Sequence, residues 1–136
     1  MRLKLLGCPA IFDGAGRKID LRSKKSLALL AMLATSESGE RSRVWLQQTL
    51  WSETNRLRAQ ASLRRELANL KAAVAGAEQW LQANYSSVKI DLDVVKVDIF
   101  EGALRSPNAE FLEGFDVEWT QNFTTWLDDV RGKLGS

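Results

Sequence analysis

Short stretches in which apolar and polar residues alternate occupy the start of the chain, and a period of two is typical of β-strands. They cover residues 2–5, 10–12 and 18–21, where Leu3 and Leu5, for example, alternate with charged side chains. A glycine-rich turn, DGAG, precedes the third stretch. The pattern predicts a small antiparallel meander.

Apolar residues at helical spacing replace the alternation after the meander. Ser23 is a cap candidate for a first helix, SKKSLALLAMLA, which residues 36–39 would end. Ser42 can cap a second helix that Trp51 closes, so two capped helices are predicted in succession. One face of the first helix collects Leu27, Leu30, Ala31 and Ala34, and one face of the second collects Leu46, Thr49 and Leu50.

The stretch RLRAQASLRRELANLK lies in a predicted third helix, over residues 55–75, that Gly76 ends. At about 100° per residue, Arg58 and Arg65 project from the side opposite the apolar stripe, with small residues around them. Glu66 lies nearer the buried edge, where it could pair with a basic residue of another element. The exposed face is therefore basic. The buried stripe comprises Ala59, Leu63, Leu67, Leu70 and Val74.

Two further alternating stretches, QWLQA and SVKIDL, flank a turn at residues 84–87 and predict a β-hairpin. An apolar segment over residues 94–104 follows, and Ser106-Pro107-Asn108 then breaks the chain as at a domain boundary. The tail is acidic and aromatic and ends in a predicted helix whose apolar face needs a partner surface. That face comprises Phe123, Trp126, Leu127 and Val130.

Charge is distributed unevenly, although the net charge is only +2. Residues 1–75 contain 14 Lys and Arg against 6 acids, a charge of +8, and residues 76–136 contain the other 5 against 11 acids, a charge of −6. Such a split indicates a polyanion-binding part joined to an acidic part. A dipolar surface without function is the alternative.

The sequence contains no enzyme motif. Without histidine there is no Ser/His/Asp or Cys/His arrangement and no ordinary metal cluster, and the single Cys8 is interpreted as a small core residue. Gly14 and Gly16 lack the pattern of a phosphate loop, and Asp91 and Asp93 are interpreted as solvated strand acids. We therefore expect no enzyme activity, no cofactor and no metal.

The N-terminus, MRLKLLGCPA, is basic, but Lys4 and Gly7 interrupt its apolar residues, so it is not typical of a signal peptide. The chain also lacks a long apolar run that would predict a membrane span. We expect a cytoplasmic protein with no membrane partner.

The order of predicted elements is a strand meander, three helices and a hairpin, as in an α/β winged helix-turn-helix domain. In that arrangement the third helix enters the DNA major groove, and the hairpin reaches the backbone or the minor groove. The alternative is a solvated helix packed by its leucine stripe. That alternative accounts neither for the small residues between the arginines nor for the charge split.

Three segments, RLKLLGCPAIFDGAGRKIDLRSKKSLALLAMLA, LQQTLW and RAQASLRRELANLK, closely resemble the DNA-binding domain of the SARP-type antibiotic regulatory proteins, which are related to effector domains of the OmpR/PhoB class. The most specific matches are Leu46-x-x-x-Leu50-Trp51 and Arg58-Ala59-x-Ala61-Ser62-Leu63-Arg64. VVKVDIFEGAL and FLEGFDVEWTQNFTTWLDDVR are similar to that family's junction and to the first helix of its bacterial transcriptional activation domain. The resemblance covers nearly the whole chain.

The resemblance implies a sequence-specific DNA-binding transcriptional regulator, an activator that binds direct repeats in double-stranded promoter DNA, often as two copies, and recruits RNA polymerase. It implies a winged-helix domain over residues 1–104 and a linker with the first helix of an activation-domain-like extension over residues 105–136. Lys71 would touch phosphate. The DNA-facing residues that the resemblance implies are Arg58, Ser62, Arg64, Arg65 and Asn69.

Two departures from the family pattern affect this interpretation. The hairpin turn over residues 84–87 has no arginine and lacks the family's usual glycine-tyrosine pair, which puts base reading by the hairpin in doubt. Trp45 stands where the family commonly has a polar residue, so it either extends the core or contacts a partner. The competing hypothesis is a protein-interaction module that has lost DNA binding and holds its partner through Trp45 or the tail.

Overall fold

The structure, a computed structural model, describes residues 1–21, 23–100, 109–117 and 119–135. Its architecture is mixed α/β, which confirms the α/β class of the predicted fold. Within these ranges the helices are α1 (Lys24–Ala34), α2 (Arg43–Leu50), α3 (Arg56–Ala73) and α4 (Gln121–Gly135). The strands are β1 (Arg2–Lys4), β2 (Ala10–Phe12), β3 (Lys18–Ile19), β4 (Glu40–Ser42), β5 (Leu81–Ala83), β6 (Ser87–Ile90) and β7 (Lys96–Val97).

The predicted meander forms a sheet of order β3-β2-β1-β7. β1 pairs antiparallel with β2, and β2 with β3, so the meander is confirmed. The sequence did not predict β7, which adds to the sheet parallel to β1. Asp98, directly after β7, accepts hydrogen bonds from the backbone N–H groups of Leu5 (2.9 Å) and Leu6 (3.0 Å) and so fixes this long-range contact.

Helix α1 is the centre of the core. Ser23 caps it as predicted, because its Oγ accepts a hydrogen bond from the backbone N–H of Lys25 at 3.0 Å. The prediction of a single buried face was too narrow, since every residue from Ala28 to Ala34 is buried. The reason is tertiary, because α1 contacts α3 as well as β4 and β6. A helix surrounded in this way has no solvated face to keep polar.

Helices α2 and α3 both begin at a side-chain cap. Ser42 accepts from the backbone N–H of Trp45 at 3.0 Å, and Asn55 accepts from that of Arg58 at 2.9 Å. Helix α3 ends two residues earlier than predicted, and Gly76 then adopts a left-handed conformation with φ of 76°. The predicted leucine stripe of α3 is buried along its whole length, which confirms which side of the helix faces the core.

Replacing Asn55 with alanine is expected to lower the free energy of unfolding by about 1 kcal/mol, because the backbone N–H of Arg58 in the first turn of α3 loses its capping acceptor. Chemical denaturation followed by circular dichroism measures the change. Ser52→Ala, on the exposed turn before α3, is the matched control and should shift stability by less than half as much. An equal effect of the two substitutions would contradict the role of Asn55 as a cap.

The predicted hairpin is present as β5 and β6, and β4 extends it to a sheet of order β4-β6-β5. The sequence did not predict β4, a three-residue strand directly before α2. Gly39 permits this pairing: its φ is +71°, and a Cβ there would lie 2.5 Å from the carbonyl oxygen of Ile90. Only glycine lets the backbone pass so close to β6.

The extension packs against the rest of the chain instead of projecting from it. The apolar face that needed a partner surface is covered within the chain: Phe123, Trp126 and Leu127 are buried, and Val130 is half-buried against the same core. The backbone N–H of Leu112 donates a hydrogen bond to the carbonyl of Leu5 at 2.8 Å. The predicted break at Ser106-Pro107-Asn108, and with it the boundary between residues 104 and 105, lies outside the described residues.

Cys8 is exposed, so its interpretation as a small core residue was wrong. Its thiol donates to Glu113 Oε2 at 3.1 Å, across the junction between the meander and the extension. This hydrogen bond and the charge of Glu113 raise the pKa of the thiol. The residues that this segment buries are its leucines, Leu3, Leu5 and Leu6.

Candidate nucleic-acid interface

The exposed side of α3 presents arginines among alanines. Arg58 and Arg65 are exposed and lie seven residues apart on the side opposite the leucine stripe, as predicted. The alanines at positions 61, 68 and 72 share this side and are also exposed. Small side chains leave the backbone of α3 accessible, so a partner surface can approach closely between the guanidinium groups.

One flank of α3 faces α1. Ser62, Glu66 and Asn69 share this flank, because they are four and three residues apart. Glu66 Oε2 accepts a hydrogen bond from the hydroxyl of Ser26 on α1 at 2.7 Å. Ser62 and Asn69 are half-buried here, at the margin of the predicted DNA-facing surface and not at its centre.

Glu66 was predicted to pair with a basic residue of another element. Its hydrogen-bond partner on α1 is Ser26, while its charge acts on the neighbouring Lys25. Burial lowers the pKa of Lys25, and the carboxylate of Glu66 partly opposes that effect. Glu66 therefore fixes the contact between α3 and α1 and is directed away from the exposed arginines.

The other flank of α3 borders a groove of about 790 Å³ that the sequence did not predict. The α3 wall carries Arg56, Gln60 and Arg64, four residues apart in turn. None of the described residues that line the groove is acidic. Its remaining lining comes from the start of α2 and from the hairpin turn: Ser42, Arg43, Val44, Gln47, Tyr85 and Ser86.

The hairpin turn is fastened to the start of α2. The backbone N–H of Arg43 donates to the carbonyl of Ser86 at 2.9 Å, and its Nε donates to the carbonyl of Asn84 at 2.6 Å. Inside the turn, the Asn84 side chain accepts from the backbone N–H groups of Ser86 and Ser87, both at 2.8 Å. Tyr85 stands at the tip, 95% exposed, beside the groove.

Four of the six predicted site residues, Arg58, Arg64, Arg65 and Lys71, are exposed. Lys71 lies seven residues after Arg64, on the flank of α3 that faces the groove. The prediction missed Arg43, Arg56 and Tyr85. A signal was present for Arg56, which stands eight residues before Arg64 at helical spacing. Arg43 and Tyr85 reach the site only through the contact between α2 and the hairpin, which no local pattern predicts.

Two basic residues at the start of α1 contact aromatic rings of the extension and of the end of α2. Lys24 Nζ donates to the carbonyl of Gly114 at 2.8 Å and lies 5.0 Å from the ring centroid of Phe115. Lys25 Nζ lies 5.2 Å from the ring centroid of Trp51 and 5.4 Å from that of Trp119. Both ammonium groups are thus engaged in cation–π contacts away from the α3 arginines.

Trp45 is half-buried and packs against the core, and the guanidinium carbon of Arg41 lies 3.9 Å from its ring centroid. The sequence left two alternatives for Trp45, an additional core residue or a partner contact. Its packing corresponds to the first. Trp45 also lines a shallow groove of about 430 Å³ between α2 and α4.

No protein-family model matches the chain, and neither a curated protein nor a solved structure is significantly similar to it. Within the described ranges, no group of three or more Cys, Asp or Glu side chains is arranged to hold a metal ion. None of the described helices combines the length and the apolar character that crossing a bilayer requires.

Proposed function

We propose that the chain is a sequence-specific DNA-binding transcriptional regulator built on a winged helix-turn-helix domain. The observation that carries the proposal is the basic surface formed by the exposed arginines of α3 and the adjoining groove. Within the described part of the chain, no ion pair neutralises the four arginines of α3 that belong to this surface. These are Arg56, Arg58, Arg64 and Arg65.

The arrangement of elements supports double-stranded DNA as the partner. Helix α3 is 18 residues long and follows α2 after a short turn, and a major groove admits a single helix of this kind. When α3 lies in the major groove of DNA, the start of α2 and the hairpin turn lie beside the same DNA backbone. Arg43 and Tyr85 then contact the DNA beside the hairpin, in place of an arginine in the hairpin turn.

In this mode of binding, the contacts of α3 fall into three groups. Arg58 and Arg65, at the centre of the exposed side, can donate in bidentate fashion to guanine O6 and N7. Arg56, Arg64 and Lys71, on the flank, contact phosphates and set the register of the helix. Ser62 and Asn69 lie at the opposite edge of α3 and contact the DNA backbone.

The wider role proposed for the chain is transcriptional activation in the cytoplasm, with two copies on promoter direct repeats and RNA polymerase as a further partner. No cofactor and no enzyme activity belong to this role. It rests on the sequence resemblance, whereas DNA binding rests also on the basic surface of α3.

Selection of bound duplexes from a random DNA library tests the proposal and returns the recognised sequence with its repeat spacing. On the selected site, Arg58→Ala and Arg65→Ala are each expected to weaken binding by about 1–3 kcal/mol and to relax the sequence preference. The matched control is Arg17→Ala, which removes the same charge from the exposed β2–β3 turn. Unchanged binding by both helix variants would overturn the assignment of this surface.

A protein-interaction module is the second candidate, and one observation favours it. Val44, 55% exposed, lines a groove of about 440 Å³ between α2 and the start of α3, next to Trp51. Such a groove can seat an apolar side chain of a partner. Failure to bind any duplex at low salt would favour this candidate over DNA binding.

A further inference from the structure

An apolar strip runs along the exposed side of α3, between its arginines. Leu57 is 76% exposed at the first turn of the helix, and Ala61 follows it one turn later. The alanines at positions 68 and 72 continue the strip toward the C-terminal end. Arg64 borders it on one side, and Arg58 and Arg65 border it on the other.

Packing within the chain does not account for Leu57. The side chains that anchor α3 to the core lie on the opposite side of the helix, at Leu63, Leu67 and Leu70. A single exposed leucine is common on protein surfaces, and helix propensity accounts for alanines at solvated positions. The distinguishing feature is the placement of Leu57, directly between Arg56 and Arg58 at the end of the helix that meets base edges first.

The floor of the major groove offers one apolar group, the C5 methyl of thymine. Leu57 and Ala61 are separated by about 6 Å along α3, close to the rise of two base-pair steps of about 3.4 Å each. An apolar protein partner would instead have to desolvate the arginines that border the strip. Charge complementarity therefore favours DNA as the occupant.

We propose that Leu57, supported by Ala61, contacts thymine methyl groups in the major groove, so that the recognised site places thymine next to the guanines read by the arginines. This inference rests on the proposed DNA-binding function and specifies what the first two turns of α3 read. Apolar contact adds discrimination between thymine and cytosine, which the arginines do not supply.

Replacement of individual thymines by deoxyuridine in the selected duplex tests the inference, because it removes only the methyl group. The dissociation constant is expected to rise about threefold to tenfold at one or two thymines, as for the loss of a buried methyl group or slightly more. In Leu57→Ala, binding to the thymine duplex weakens by a similar factor, and deoxyuridine at the same position has no further effect. Val94→Ala, at another exposed apolar residue, should retain both the affinity and the sensitivity to deoxyuridine.

The outcomes separate the inference from the proposed function. Specific binding with no sensitivity to deoxyuridine, or a selected site without thymine, overturns the methyl contact and leaves DNA binding intact. If deoxyuridine weakens the binding of Leu57→Ala as much as that of the wild-type chain at every thymine, the methyl contact is also overturned. Failure to bind any duplex overturns both. Leu57 is solvent-exposed, so circular dichroism of the variant should match that of the wild-type chain.

Discussion

Replacing Phe123 with alanine is expected to lower the free energy of unfolding by about 3–5 kcal/mol, because the side chain is fully buried and leaves a cavity that its neighbours cannot fill. The ring lies between Trp119 and Trp126, with centroid distances of 4.8 Å and 5.6 Å. Two aromatic contacts are therefore lost together with the buried area.

The same substitution tests whether the extension shares one cooperative unit with the rest of the chain. Denaturant unfolding should remain a single transition in the wild type and in Phe123→Ala, observed both by tryptophan fluorescence and by circular dichroism. Phe100→Ala removes the same side chain from a position that is 62% exposed, and its effect should be below about 1 kcal/mol. A separate early transition of the extension, or equal effects of the two substitutions, would contradict a shared core.

That cooperativity rests on hydrogen bonds that the extension donates to the C-terminal end of α2. The last carbonyl groups of a helix have no partner inside the helix. The Thr120 hydroxyl donates to the carbonyl of Thr49, and Asn122 Nδ2 donates to the carbonyl of Gln48 at 2.8 Å. Thr120 Oγ1 also accepts from the backbone N–H of Phe123 at 2.9 Å, so one side chain caps both α2 and α4.

Features encoded by neighbouring residues could be predicted from the sequence. Ser23 and Ser42 cap the helices that they were expected to cap, and the leucine stripe of α3 is buried as its spacing indicates. The hairpin also follows from its alternation and its turn. These signals act over a few residues, so a single segment contains all the information that they need.

Features that depend on distant segments could not be predicted in this way. β4 and β7 contain three and two residues, too few to show a period, and each exists because another segment passes beside it. The complete burial of α1 depends on the elements packed around it. Capping of α2 by Thr120 and Asn122 joins residues more than 70 positions apart, and no helix signal indicates such a partner.

The candidate site shows the same division. The arginines of α3 follow from the spacing of one helix, and the structure places Arg58, Arg64 and Arg65 on its solvated side. Arg43 and Tyr85 join them only because the hairpin turn binds the start of α2. Ser62 and Asn69 are half-buried on the same flank as Glu66, which contacts α1, and the wheel of an isolated helix does not include such a neighbour.

Binding to random-sequence duplex DNA is expected to weaken about 10³-fold between 50 and 200 mM monovalent salt. On a random sequence Arg58 and Arg65 have no matching guanines and pair with phosphates instead, so six cations contact phosphate. Each phosphate that they neutralise contributes about 0.9 to the slope of log affinity against log salt concentration. Six contacts therefore give a slope of about −5. The cations are Arg43, Arg56, Arg58, Arg64, Arg65 and Lys71.

The slope also identifies which residues contact phosphate. The double variant Arg56→Ala/Arg64→Ala should reduce the magnitude of the slope by about 1.8, because two phosphate contacts are removed. Arg17→Ala/Lys18→Ala removes the same charge from exposed positions on the other sheet and should leave the slope unchanged. Fluorescence anisotropy with a labelled duplex measures all three proteins. If the two double variants changed the slope equally, net charge alone would account for binding, and the groove beside α3 would have no specific role.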